Sequence, residues 1–248
     1  MASVASFAFQ SHWTFSDRVA QLLDRIDCRL ADSAEEREAI FRLRYAAYLR
    51  EGAIAPNFSG TFTDPYDEAD NARLFGLYLD GELASSIRLH VASAQHRDFP
   101  SRKVFADLLE PELDAGRVIV DPTRFITDRH HSRCNPGLPH VTLRLAWLAA
   151  EHFAAEHFLV AIRTEHQAFY RRTFHHRLIC EARPYPLLAK PISLMTVDYA
   201  AVAEQVHQRY PFFRSTFFER RMLFDRDAAL PRVAFRPQPV AAEVHHAA

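Results

Sequence analysis

A few charged residues in this sequence stand where they could do chemistry. Asp121 follows the apolar run Val118-Ile119-Val120, so a strand would carry a carboxylate straight out of the core. A carboxylate in that setting can be tuned to accept a proton. The alternative for Asp121 is an ion pair with Arg124, three residues on, or with Arg44 or Arg88. Arg88 lies between Ile87 and Leu89 in a second apolar run, and alternation sends those neighbours to the opposite face. It could grip a carboxylate in a forked pair or lie on an exposed sheet face. Asp67 and Asp70 belong to an acid-dense loop, Asn57 to Asn71, which also holds Asp64 and Glu68. Their expected part is to organise that loop through arginine pairs.

Other catalytic signatures are missing from the sequence. There is no Gly-x-Ser-x-Gly elbow and no His-Glu-x-x-His motif. Cys28, Cys134 and Cys180 are far apart, which fits a reducing compartment and excludes a Cys-x-x-Cys zinc ribbon. His130-His131, His152, His157, His166 and His175-His176 invite a metal reading. His152 and His157, five apart on an expected helix, would point about 140° away from each other. Surface or loop histidine is the expectation, and no metal site is expected.

The elements that must position these residues can be read from capping and periodicity. Ser16 can cap a short helix, and Cys28 to Ala31 reads as a strand. Asp32 or Ser33 opens a helix over 34–51, with Ile40, Leu43, Ala47 and Tyr48 as its buried stripe. Leu74 to Leu79 and Leu83 to Val91 form a hairpin about Asp80-Gly81. A short helix around Val104 to Leu109 precedes the strand Val118 to Val120. A helix over 139–156, a strand over 158–162, a helix over 167–174 and strands at 178–179 and 192–197 follow. From Ala201 the chain is helical and aromatic, ending in a Pro/Ala/His tail expected to be loose. The expected division is an N-terminal helical extension over 1–26, a core domain over 27–200 and a C-terminal extension over 201–248.

Composition supports a globular chain. Of 248 residues 48% are hydrophobic and 25% charged, and six glycines against twenty phenylalanines argue against a disordered or repeat protein. Thirty basic against thirty-one acidic residues leave a net charge of -1, so no global field recruits nucleic acid or an anionic membrane. Met1 to Trp13 lacks the basic head and apolar run of a signal peptide, and no stretch nears the ~18 apolar residues of a membrane span. A cytoplasmic location is the expectation.

The element order resembles the GNAT acyltransferase fold, an α/β (α+β) architecture with a mixed, mostly antiparallel sheet flanked by helices. Arg44-Tyr45-Ala46-Ala47-Tyr48, Asp67-Glu68-Ala69-Asp70, Arg88 and Asp121-Pro122-Thr123-Arg124 resemble the charged series of autoinducer (acyl-homoserine-lactone) synthases. Tyr48 replaces that family's Phe, Pro65 stands where its first acid is expected, and Asp121 stands in for Glu. The C-terminal half, with His166-Gln167-Ala168-Phe169-Tyr170-Arg171-Arg172-Thr173-Phe174 and Arg183-Pro184-Tyr185-Pro186-Leu187, is more similar to the FeeM-type N-acyl amino acid synthases of bacteria. The resemblance covers about residues 27 to 200.

It implies transfer of a long acyl chain from acyl carrier protein to the amine of an amino acid. The autoinducer synthases would use S-adenosylmethionine as the amine, and a non-catalytic protein that holds an acyl chain or its carrier is the third reading. Attack of an amine on a thioester needs a neutral amine, donors for the oxyanion and a proton for the leaving thiolate. The resemblance then implies Asp121, Arg124 and Tyr170 as catalytic, Tyr170 beside the leaving thiol. It implies Arg44, Tyr48, Asp67, Asp70 and Arg88 as substrate-binding.

Arg129, Arg133, Arg171 and Arg172 are the expected docking face for an acidic carrier protein. The segment Thr127 to Pro139, where relatives of this fold cradle pyrophosphate on glycines, has only Gly137. That favours a donor held through pantetheine, chain and carrier over tight recognition of acyl-CoA, and no tightly bound cofactor is expected. Phe212, Phe213, Phe217, Phe218 and Phe224 could roof an acyl tunnel or simply fill the core.

Overall fold

The starts of the first two helices in the computed structural model, which describes residues 13–186 and 188–225, follow local capping chemistry. The residues before Trp13, the C-terminal tail beyond Asp225, and Leu187 lie outside the described residues. Thr14, not Ser16, caps α1 (Phe15–Leu23), sharing a capping box with Asp17. Ser33 and Glu36 form the same box at the start of α2 (Ala34–Arg50). The buried stripe of α2 is Ile40, Arg44 and Ala47, so an arginine occupies the core-facing position expected for Leu43.

Seven strands form one sheet in the order β1-β2-β3-β4-β5-β7-β6. They are β1 (Ile26–Leu30), β2 (Ala72–Leu79), β3 (Glu82–Ala92), β4 (Ile119–Thr127), β5 (His157–Ile162), β6 (Arg177–Arg183) and β7 (Ile192–Val197). Asp80 and Gly81, with φ of 52° and 91°, make the tight β2–β3 turn that their residue types require. Every pairing is antiparallel except β4 with β5. The sheet is thus the GNAT-like mixed, mostly antiparallel one.

The crossover between β4 and β5 runs through α4 (Arg129–Cys134) and α5 (Leu138–His152). Every residue of α5 from Val141 to Ala150 is buried, which makes it the central helix of the larger core. Packed with it on that face are α1, α6 (Gln167–Phe174), α7 (Tyr199–Arg209) and α8 (Phe217–Phe224). A second core on the other face joins α3 (Arg102–Asp114) to β4, β5 and β7. α2 covers β2 beside it. His157 begins β5 rather than ending the preceding helix, so the expected His152/His157 helical spacing does not arise.

β4 departs most from expectation, running nine residues where three were expected. It pairs with β5 only at Ile119↔His157 and Val120↔Phe158, and beyond that point the two strands diverge. Pro122 is tolerated because one side of β4 has no ladder left to break. No helix among the described residues is long and apolar enough to cross a membrane.

Candidate active site

The site begins with a bulge. Thr123 pairs with Arg88 and Ile126 with Ser86, so Arg124 and Phe125 together oppose Ile87. Arg124 takes a φ of 52°, the left-handed region that a bulge can impose on a non-glycine residue. On a regular strand Asp121 and Arg124, three apart, would face opposite sides. The bulge turns Thr123 and Arg124 to the same face, where α2 and the acidic loop lie.

There three arginines and two aspartates form a buried ion cluster. Arg44 Nη1 donates to both oxygens of Asp67, at 3.0 and 2.9 Å, and to the Phe62 carbonyl. Arg88 Nη1 donates to Asp64 at 2.6 Å and to Asp67 at 2.8 Å, while its Nε donates to Thr123 Oγ1 at 3.1 Å. Arg124 donates to Asp64 from Nε at 3.0 Å and Nη2 at 2.5 Å, and its Nη1 meets the Tyr48 hydroxyl at 3.4 Å. The loop presents both carboxylates because Asp64 and Asp67 cap the single 3-10 turn Pro65–Glu68 between them. Burial opposes the charge on Asp64, but Arg88 and Arg124 overcome it and hold the carboxyl well below the usual range. His90 donates its Nε2–H to the Tyr66 carbonyl, and burial, reinforced by Arg88, lowers its pKa to about 3.

Several expectations change here. Asp121 and Arg124 do not pair. Asp121 is fully buried and accepts from Ser101, at 2.7 Å from Oγ and 3.1 Å from N, at the start of α3. Burial pushes it up to about 6 against those hydrogen bonds and the charge of Arg88. Asp64 takes Arg124 instead. It stands one residue before Pro65, and its capping spacing to Asp67 was the available signal. Arg88 is fully buried and its forked face is taken up by the two aspartates, so it holds the loop rather than an incoming carboxylate. Asp70 is exposed and lies outside the cluster.

Where β4 and β5 part, a cavity of 620 Å³ opens through the sheet. The β4 edge from Pro122 to Thr127 forms one wall, Val160 to Ile162 of β5 the other, and Leu143, Phe169 and Tyr170 close it. That stretch of β4 has no strand on its β5 side, so main-chain N–H groups that do not serve the β3 ladder have no strand partner there. The Tyr170 ring packs against Phe169 and His176 at centroid distances of 5.1 and 5.7 Å. Burial pushes its phenol far up, so it stays protonated and able to donate. His166 is exposed, as read from sequence, and at the cavity rim shares a 2.8 Å contact with Arg163.

Arg129 and Arg133 on α4, and Arg171 and Arg172 on α6, are all exposed. Arg171 donates to Gln167 and Arg172 to the Ala168 carbonyl. Arg129 stands at the cavity mouth with Tyr170 of α6 lining the same cavity. The five C-terminal phenylalanines do not roof it. Phe212, Phe213 and Phe224 are buried against α5, and Phe217 and Phe218 are each 66% exposed. The buried Arg144–Glu219 pair and the 2.6 Å bond from Arg144 Nε to the Phe212 carbonyl hold this segment on α5. The cavity's aromatic lining comes from Tyr48, Phe125, Phe169 and Tyr170 instead.

The sequence model of the N-acyl amino acid synthase FeeM family matches residues 39–198, which hold the ion cluster and the cavity walls. Among solved structures, FeeM, an N-acyl amino acid synthase from uncultured soil microbes, aligns with a TM-score of 0.62 and 20% identity. That alignment covers 73% of this chain and 94% of FeeM. MesI, a CoA-dependent acyl-homoserine lactone synthase, aligns with a TM-score of 0.52 and 19% identity, over 75% of this chain and 95% of its own. TofI, solved with an inhibitor and MTA, gives 0.53 and 15% over 71% and 91%. At such identities the structures speak for the fold alone. No curated protein matches the sequence. By the family match, the chain belongs to the FeeM family of N-acyl amino acid synthases and is an N-acyltransferase on a GNAT-like sheet.

Proposed function

We propose that this enzyme moves a long-chain acyl group from the thioester of acyl carrier protein to the amine of an amino acid, giving an N-acyl amino acid. The observation that carries the reading is the cavity at the β4–β5 split. It offers apolar walls to a chain, an unpaired strand edge to a carbonyl and a protonated phenol to a thiolate. The thioester carbonyl lies along the β4 edge, whose N–H groups take up the oxyanion as the neutral amine attacks. The C–N bond forms, the C–S bond breaks, and Tyr170 gives its proton to the leaving thiolate. The amine's own proton leaves to solvent or to His166 at the rim, and Tyr170 is reprotonated from solvent. Arg44, Arg88, Arg124, Asp64 and Asp67 position the bulged β4 edge, and Asp121 positions α3.

A carrier-bound donor is favoured over acyl-CoA by the same region that lacks a glycine cradle. Gly137 serves packing: a Cβ there would meet Val19 Cγ2 at 2.9 Å. The exposed arginines of α4 and α6 beside the cavity are the docking face in this reading. Three unbridged cysteines are in keeping with a cytoplasmic setting. Expression in a bacterial host followed by mass spectrometry of extracted lipids tests the proposal. New N-acyl amino acids are expected. Acyl-homoserine lactones alone would transfer the chain to the S-adenosylmethionine-using class, and carrier binding without any product would make it a binder.

A further inference from the structure

In the buried ion cluster the guanidinium groups outnumber the carboxylates they pair with. Arg44, Arg88 and Arg124 bring three guanidinium groups to the two carboxylates of Asp64 and Asp67. The carboxyl group of Asp121 is turned to Ser101, and among the described residues it forms no ion pair with an arginine. A buried guanidinium donor left short of a partner is unfavourable until an acceptor completes it.

One of the three arginines reaches the cavity. Arg44 and Arg88 are fully buried and line no part of the cavity, whereas Arg124, 6% exposed, lines its wall. Nε and Nη2 of Arg124 are taken up by Asp64. Its Nη1 meets only the Tyr48 hydroxyl, at 3.4 Å, which is too long to use that donor fully. Tyr48 lines the same wall, and its ring is set by an edge contact to Phe62 at 5.2 Å. The bulge that strains Arg124 into a positive φ is what turns this group to the cavity.

We propose that Arg124 Nη1 and the Tyr48 hydroxyl together bind the carboxylate of the acceptor amino acid. The proposal rests on the amino-acid reading above and deepens it. A carboxylate on Arg124 gives its under-used Nη1 donor an anionic partner, and because one carbon separates it from the amine, it fixes the nucleophile in the cavity beside the β4 edge. The role expected of Arg88 thus passes to the arginine next to its partner Thr123. Arg50, Arg129 and Lys190 at the rim are exposed and hydrated, and so less able to select a carboxylate.

The test uses the amino acid found in the extracted lipid and its primary amide, which keeps the amine and side chain but lacks the charge. With an acyl thioester donor, kcat/KM for both is measured in wild type, Tyr48→Phe and Arg124→Gln. Wild type should prefer the amino acid by about tenfold to a hundredfold, as expected for charge-assisted hydrogen bonds. Tyr48→Phe, which leaves the ion cluster paired, should lose about tenfold more rate with the amino acid than with the amide. Arg124→Gln should lose the preference entirely where thermal melting shows it folded. Equal losses for both substrates in Tyr48→Phe, or no loss, would overturn the proposal while leaving the amino-acid reading standing. A wild type that acylates no amino acid would remove that reading and this inference together.

Discussion

Asp121 is a carboxyl group shut away from water, with one serine for company. Burial pushes its pKa up to about 6 from an ordinary 3.8, so the fold favours the protonated form. A raised pKa in the folded state contributes stability that is fully present below the unfolded value and lost as the pH rises through the folded one. The window is therefore about pH 4 to 6, and the loss is on the order of 3 kcal/mol. Asp121→Asn cannot titrate and should remove it. Urea melts of both proteins at several pH values check this: the wild type should weaken relative to the variant between pH 4 and 6, with parallel curves above. Curves that stay parallel throughout would show that Asp121 does not titrate in this range. The transfer rate at neutral pH should fall little, because the carboxyl group faces Ser101 and not the cavity.

β4 does at element scale what no single residue does. Its bulge brings Thr123 and Arg124 to one face, and the acidic loop answers with a 3-10 turn whose two caps are the two buried carboxylates. Asp64 accepts from both Arg88 and Arg124 and so links the loop to two strands. Removing its charge leaves two guanidinium groups short of a partner, the circumstance in which a broken buried pair is expensive. Asp64→Asn should destabilise the protein by about 3–5 kcal/mol in denaturant unfolding. Asp70→Asn, exposed and outside the cluster, should stay within about 0.5 kcal/mol. Near-equal values for the two would mean that the ion cluster does not hold the loop.

Across the whole molecule the net charge is -1, so any attraction for an acidic carrier must come from a local patch. The exposed arginines of α4 and α6 are the patch proposed for it, with Arg129 lining the cavity, while α1, α7 and α8 share the core around α5. Such docking acts mainly on the association rate and is screened by salt over roughly 8–10 Å at ordinary ionic strength. Transfer from a carrier-bound donor should therefore slow as salt rises. Arg171→Glu/Arg172→Glu should lower it about tenfold or more at low salt, and leave transfer from a free pantetheine thioester little changed. Steady-state rates with the two donors separate docking from chemistry. Rates indifferent to both salt and substitution would place the carrier elsewhere.

Local chemistry sufficed for much of this protein. The Asp80-Gly81 turn, the opening of α2 and the apolar helix α5 follow from residue type and period, because a cap, a positive φ or a buried stripe is decided within a few neighbours. The ordered motifs from Arg44 to Arg183 likewise pointed to the acyltransferase family in which the family match places the chain. What the sequence could not reveal was partner choice among the charges. Asp121 and Arg124 stand three apart in the chain, yet one faces Ser101 and the other Asp64, sixty residues away. That choice depends on a bulge in β4, on the divergence of β5 and on the turn that carries Asp64, all of which exist only once distant strands have paired. The phenylalanines show the same limit. Their apolar character predicts burial but not against which face: Phe212, Phe213 and Phe224 pack on α5, beyond the cavity, while Phe217 and Phe218 stay exposed, as the tertiary fold decided.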